Sequence, residues 1–335
     1  MPLLIINQDH VRQLLPMDEA ISIMAKAFKA LGRGEAINPL RQVTPLPEGK
    51  GVLVAMPAHL GAMEAMGLKV ISVLPGNEGT EYDSHQGAVL LFETEHGSLR
   101  AIVDASAITA IRTAAVSGLA TQLLAREDAT ELTILGSGVQ AQAHLASMRL
   151  ARKIRRARVW SRTRVHAERF ADAGSLRHGI PVEAVGSAED AVRGAEIICT
   201  TTASEEPVLR GKWLSPGVHI NAVGSSVPFA RELDTDAVLR SRLFVDRRES
   251  TVNESGEFLI PLREGALDAS HIQGELGEVL LGQNQGRESP EEITLFKSLG
   301  LAVQDLAAAH YVYQRALEKG VGTGVELGGR RHTSP

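Results

Sequence analysis

Leu132-Thr133-Ile134-Leu135-Gly136-Ser137-Gly138-Val139-Gln140-Ala141 decides how the middle of this chain folds. Four residues of strand character run into a glycine turn, and a glycine-free stretch of helical character continues to Leu150. Gly136 permits a tight turn, Gly138 lets a phosphate approach the backbone, and Ala141 lets the helix lie close on a sheet. The free N–H groups at the helix start then face an anion. A bare glycine pattern is weak, but the strand before it and the helix after it make this the phosphate turn of a dinucleotide site. Gly136, Ser137, Gly138, Val139 and Gln140 are the residues expected at the pyrophosphate.

One crossover later, Arg158-Val159-Trp160 reads as a second strand that ends in Ser161-Arg162-Thr163. A carboxylate there would hold a ribose 2′-hydroxyl, and none is present. Arg162, helped by the hydroxyls of Ser161 and Thr163, suits a 2′-phosphate instead. NADP(H) is the expected cofactor and NAD(H) the second choice. Residues 164–173 continue as helix, and 197–201, 218–223 and 243–245 supply later strands. That alternation marks a parallel sheet with crossover helices, the Rossmann arrangement.

The first third has another rhythm. Residues 17–31 form an amphipathic helix with Ile21, Met24, Phe28 and Leu31 at helical spacing. Strands follow from about 37 to 104. Val52–Met56 stops at Pro57, 68–74 stops at Pro75-Gly76, and 88–92 with 99–103 flank a hairpin turn at 95–97. Ala105 to Leu124 is helical. Near the end, Ser289-Pro290-Glu291-Glu292 carries a helix-start signal. A long helix runs from Leu301 to Lys319, stopped by Gly320, Gly322 and Gly324, and the tail from Gly328 to Pro335 is expected to be mobile.

Hydrophobic residues at 44% and charged residues at 22% are those of a folded, water-compatible protein, and 335 residues suffice for two domains. A net charge of −5 gives no reason to expect nucleic acid or an anionic membrane. The local basic run from Arg152 to Arg158 reads as a solvated helix end and loop. Cys199, alone in an apolar run, excludes an internal disulfide and reads as a buried thiol, not a nucleophile. No basic leader and no apolar run near the length of a bilayer span stand out, so a cytoplasmic location is expected. No cluster with metal-ligand spacing is evident.

The ordered motifs resemble the ornithine cyclodeaminase/mu-crystallin family over almost the whole chain. They are Met56-Pro57, Gly67-Leu68-Lys69 with Pro75-Gly76-Asn77, Ser84-His85-Gln86-Gly87, and Ile108 to Ala115. Gly136 to Ala141, His219 to Gly224, Arg231-Glu232-Leu233-Asp234 and Phe296 to Gly300 complete the set. The resemblance implies an α/β fold: a Rossmann dinucleotide-binding domain plus an N-terminal α+β, open-barrel-like sheet domain for substrate and dimerisation, completed by the C-terminal helix. Residues 1–118 and 311–335 would form the sheet domain and 119–310 the NADP-binding domain, in a homodimer. Thr113, Thr202, Val223, Ser298 and Leu299 join the expected cofactor contacts.

The resemblance assigns substrate-carboxylate binding to Arg41, Lys69 and Arg112. Lys69 shares a strand face with Ile71 and Val73, and Arg112 sits in an apolar helix. Cations so placed need an anion, which a substrate carboxylate would provide. Two arginines near Lys69 should lower its pKa and suit it to proton transfer.

Proline-forming cyclodeaminases carry a glutamate where this chain has Val54 and an aspartate where it has Ser226. Without those carboxylates the expected reaction is reduction of a cyclic α-imino acid, pyrroline-2-carboxylate or piperideine-2-carboxylate, to a proline- or pipecolate-type amino acid. Lys69, Arg41, Arg112, Ser226 and His85 are the expected catalytic residues, although a lone histidine at a strand start is more often structural. The alternatives are an open-chain imine reductase of the alanine-dehydrogenase kind, an ornithine cyclodeaminase, and a non-catalytic small-molecule binder.

Overall fold

A computed structural model describes residues 2–77 and 79–328, the side chain of Ala62 excepted. The expected mobile tail therefore lies, beyond Gly328, outside the described residues. The chain forms two compact units, one running from the start to Arg112 and resuming at Leu301, the other Thr113–Gly300. The division falls six and ten residues before the expected boundaries at 118 and 310.

The first unit is built on an eight-stranded sheet. Its strands are β1 (Leu3–Ile6), β2 (Ala36–Ile37), β3 (Gln42–Pro45), β4 (Val52–Leu60), β5 (Ala65–Val73), β6 (His85–Glu93) and β7 (Leu99–Asp104), with Thr323–Val325 at one edge. The order is Thr323–Val325, β1, β7, β6, β5, β4, β2, with β3 paired beside β4. The sheet is open, with no closed barrel. The helix Met17–Gly32 packs with the C-terminal helix Ala302–Lys319, which crosses β4, β5 and β6. Ile21, Met24 and Phe28 are buried as their spacing requires, and Leu31 is only half-buried.

Pro57 does not end β4, contrary to expectation. The strand runs on to Leu60, and Pro57 pairs with Leu68 of β5 on one side. On the other side β3 reaches Ala55 and β2 begins at His59, so the missing proline N–H falls in a gap between partners. The terminal segments hold further strands that local pattern does not reveal. β1 pairs parallel to β7 and antiparallel to Thr323–Val325, where the sequence suggests only glycine-rich helix stops.

The second unit holds an eight-stranded, all-parallel sheet. Its strands are β8 (Glu131–Leu135), β9 (Arg156–Trp160), β10 (Val182–Ala184), β11 (Ile197–Thr200), β12 (His219–Ala222), β13 (Arg242–Val245), β14 (Ile272–Glu275) and β15 (Thr294–Lys297). Their order is β10-β9-β8-β11-β12-β15-β13-β14. The central strands β8, β11, β12 and β15 are buried apart from the half-buried Glu131, and they carry buried polar residues such as His219, Asn221 and Lys297 among their apolar ones.

Three expectations need correction. The helix signal at Ser289 produces only a turn. Ser289 Oγ accepts from Glu292 N at 3.3 Å, but from Thr294 the chain enters the sheet as β15, whose four residues are all buried. Sheet pairing overrides the local cap. In the basic run Lys153 and Arg155 are exposed, but Arg152 is not a solvated charge, because its guanidinium donates to the Gln122, Ala125 and Arg126 carbonyls. It closes the C-terminus of the helix Ala105–Leu124, where a cation is favoured. That helix is, by length and composition, long and apolar enough to cross a membrane, contrary to the sequence expectation. It is 72% buried in the protein and carries Arg112, as a core helix does.

Candidate functional site

In the first unit the strand register turns Lys69 and Ile71 to the buried face of β5, beneath the C-terminal helix. Asp305, in the first turn of that helix, meets it there. Asp305 Oδ1 accepts from Lys69 Nζ at 3.1 Å and from Arg112 Nε at 2.9 Å. Arg112 Nη1 donates to Gln304 Oε1 at 2.8 Å. Lys69, Arg112, Gln304 and Asp305 are all buried. Asn38 Oδ1 accepts from Val303 N at 3.0 Å and fixes the helix start, because the flanking Leu301 has no side chain to do so.

The anion that the buried cations require is therefore internal. Asp305 supplies it, a part that the sequence expectation gives to substrate alone. The lysine pKa falls, as expected, to about 8, but burial is the largest cause. Asp305 opposes the fall, and the charges of Arg112 and Arg41 add to it. Two polar atoms of the cluster are buried without a hydrogen-bond partner: the acceptor Asp305 Oδ2 and the donor Gln304 Nε2. Such orphans are costly, and an acceptor and a donor beside two cations suit a small ligand with an N–H and a carboxylate.

The same unit holds Arg41, half-buried and near enough to act on Lys69. His85 opens β6, with Nδ1 3.0 Å from Ser84 Oγ. Its residue surface is open, yet partial desolvation and then the charge of Lys69 lower its pKa. Ser226 belongs to the second unit, half-buried in the loop after β12.

The other expected contacts lie in the second unit. Gly136 has φ +119°, and a Cβ there would stand 2.7 Å from Thr201 O, so only glycine fits. Gly138 flanks the helix Val139–Ala151 with no side-chain cap, and an added Cβ would meet nothing within 4 Å. The open backbone and uncapped N–H groups fit a pyrophosphate. Val139, at the helix start, is 61% exposed. Ser137 Oγ donates to Ser161 Oγ at 3.0 Å, which joins the turn to the end of β9, where Arg162 and Thr163 are exposed. Thr202, Val223, Ser298 and Leu299 follow β11, β12 and β15 at the carboxyl ends of adjacent strands, and Ser298 Oγ is buried without a partner. Thr113 is buried in the helix Ala105–Leu124. Cys199 is buried, its thiol pushed up to about 12 by that burial, so it is no nucleophile.

Residues 3–320 match the ornithine cyclodeaminase/mu-crystallin family. The chain belongs to that family. It is 38% identical, over 97% of its length and 100% of the relative's, to a Delta(1)-pyrroline-2-carboxylate reductase of Bacillus cereus. Mouse (Mus musculus) ketimine reductase mu-crystallin is 41% identical over 91% of this chain and 94% of its own. Among solved structures, Thermococcus litoralis Delta(1)-pyrroline-2-carboxylate reductase in complex with NADH and L-proline superposes with a TM-score of 0.94. That protein is 39% identical, over 96% of this chain and 100% of its own.

Sequence reasoning misses Asp305 and Gln304 as site residues. Asp305 follows the Phe296–Gly300 motif by five positions, and an acid in the apolar first turn of the alanine-rich helix is the available signal. Asp305→Ala should strand two buried cations and cost about 3–5 kcal/mol of stability. Urea denaturation checks this, and a loss under about 1 kcal/mol would contradict the ion-pair geometry.

Proposed function

We propose that this oxidoreductase reduces a cyclic α-imino acid, pyrroline-2-carboxylate or its six-membered homologue, to proline or pipecolate. The observation that carries the reading is the buried Lys69–Asp305–Arg112 cluster with its unpartnered Oδ2 and Nε2, in a chain whose relatives are named for such reductions. Arg112, Arg41 and Gln304 Nε2 hold the substrate carboxylate, and Asp305 Oδ2 accepts the N–H of the protonated imine. Lys69 supplies that proton, because a pKa of about 8 makes it a far better acid than a free lysine. The reduced nicotinamide, when bound, supplies the hydride. Val54 and Ser226 provide no carboxylate to activate a second amine, so cyclodeamination is not the reading supported.

The cofactor is a nicotinamide dinucleotide, with the Gly136–Gln140 turn at its pyrophosphate. The solved relative holds NADH. We infer a preference for NADPH from the exposed Arg162 and Thr163 beside the half-buried Ser161 and the lack of a carboxylate there.

Incubation with pyrroline-2-carboxylate and each reduced cofactor, followed by nicotinamide absorbance, tests the reaction. Consumption is expected, and its rate should fall as pH rises through about 8, where Lys69 loses its proton. No consumption with either cofactor overturns the reading. Arg112→Ala should lower turnover about a hundredfold while dinucleotide binding persists. Arg162→Asp should weaken NADPH about tenfold more than NADH, and an equal effect on both would remove the 2′-phosphate assignment.

A further inference from the structure

Glu232 lies in the Arg231–Asp234 motif and has no solvent exposure. Its carboxylate accepts four hydrogen bonds, each 2.7 Å long. Oε1 takes Thr202 N and Thr202 Oγ1, and Oε2 takes Thr200 Oγ1 and Gly224 N. A Cβ on Gly224 would stand 2.5 Å from Oε1 and 2.1 Å from Thr202 O, so the segments leaving β11 and β12 are in tight contact around this side chain. Burial raises the pKa of Glu232, and the donors from Thr200 and Thr202 oppose that rise.

The network continues. Glu232 N donates to Glu257 Oε1 at 2.9 Å, and Glu257 Oε2 lies 2.9 Å from Lys297 Nζ. Lys297 Nζ donates to Ser225 O at 2.5 Å. Lys297 ends β15 and immediately precedes Ser298. One set of buried charges thus ties together the carboxyl ends of β11, β12 and β15, and only the first of these, through Thr201, touches the glycine turn after β8. Burying two carboxylates and a lysine is expensive and seldom improves stability over apolar packing. Fixing loops at the carboxyl ends of parallel strands, where ligands of such sheets bind, gives the expense a use.

We propose that Glu232 is a positioning residue for the nicotinamide end of the cofactor. It sets the Thr200–Thr202 and Val223–Ser225 segments against which that end rests, and it leaves the pyrophosphate end to the Gly136–Gln140 turn. The inference rests on the reading that this chain binds a nicotinamide dinucleotide, and it is independent of the imino-acid substrate.

Glu232→Gln tests it, because an amide offers one acceptor oxygen where four donors converge and turns its N–H₂ against two of them. Binding is measured with whichever of NADH or NADPH the wild type holds more tightly, and with ADP-ribose or its 2′-phosphate as the matching probe without nicotinamide. The dinucleotide should weaken about tenfold and lose its nicotinamide fluorescence enhancement, while the ADP-ribose probe keeps its affinity. Unchanged dinucleotide affinity, or equal weakening of both ligands, overturns the proposal. A wild type that binds neither dinucleotide overturns the cofactor reading with it. If Glu232→Gln does not fold, Thr200→Val removes a single donor at nearly constant volume and should produce the same selective loss, smaller in size. Equal or absent effects there overturn the proposal in the same way.

Discussion

A single carboxylate oxygen, Asp305 Oδ1, is the anion that the buried Lys69 and Arg112 share in the first unit. Lys69 on a central strand and Arg112 on an apolar helix could not stay buried and ionised without an anion between them. Placing that anion in the first turn of the C-terminal helix also puts it where helix N–H groups favour negative charge. The last helix therefore returns to a sheet laid down more than two hundred residues earlier, with Asn38 holding its first turn. Burial pulls the proton affinity of Lys69 down, and Asp305 keeps it from falling further.

The second unit follows a different constraint. Its parallel strands end side by side, and each expected cofactor segment except Thr113, which lies in the helix Ala105–Leu124, leaves from one of those ends. The glycine turn offers bare backbone at β8, while buried polar groups hold the segments after β11, β12 and β15. Open backbone suits a phosphate, whose recognition needs only N–H groups. Aligning a reacting ring requires loops that do not move, and these come from saturated hydrogen bonding.

The fold is legible wherever local pattern and tertiary environment agree. Leu132 to Ala141 gives strand, turn and helix because each residue meets a local need. Residues 105–124 and 302–319 likewise declare themselves by composition. The failures share a cause. Thr294 to Lys297 follows a good helix start yet enters a strand, because the gap between β12 and β13 is filled there. Pro57 sits inside a strand because its edge lacks a partner between Ala55 and His59. β1 is too short to signal itself, and Arg152 looks like surface charge because the carbonyls it satisfies lie at the end of another helix. Of the site, the cations can be named from motifs, but their partner Asp305 cannot, since 236 positions separate it from Lys69. Glu232 and Lys297 stand in recognised motifs without a role, because a buried network is visible only once distant segments meet.

The reaction is tested most directly by following the hydride itself. With the reduced cofactor deuterated at nicotinamide C4 on the transferring face, pyrroline-2-carboxylate should yield proline carrying deuterium at Cα. Mass spectrometry reads the label. Proline formed without it, or no proline at all, would contradict direct hydride transfer to the imine carbon.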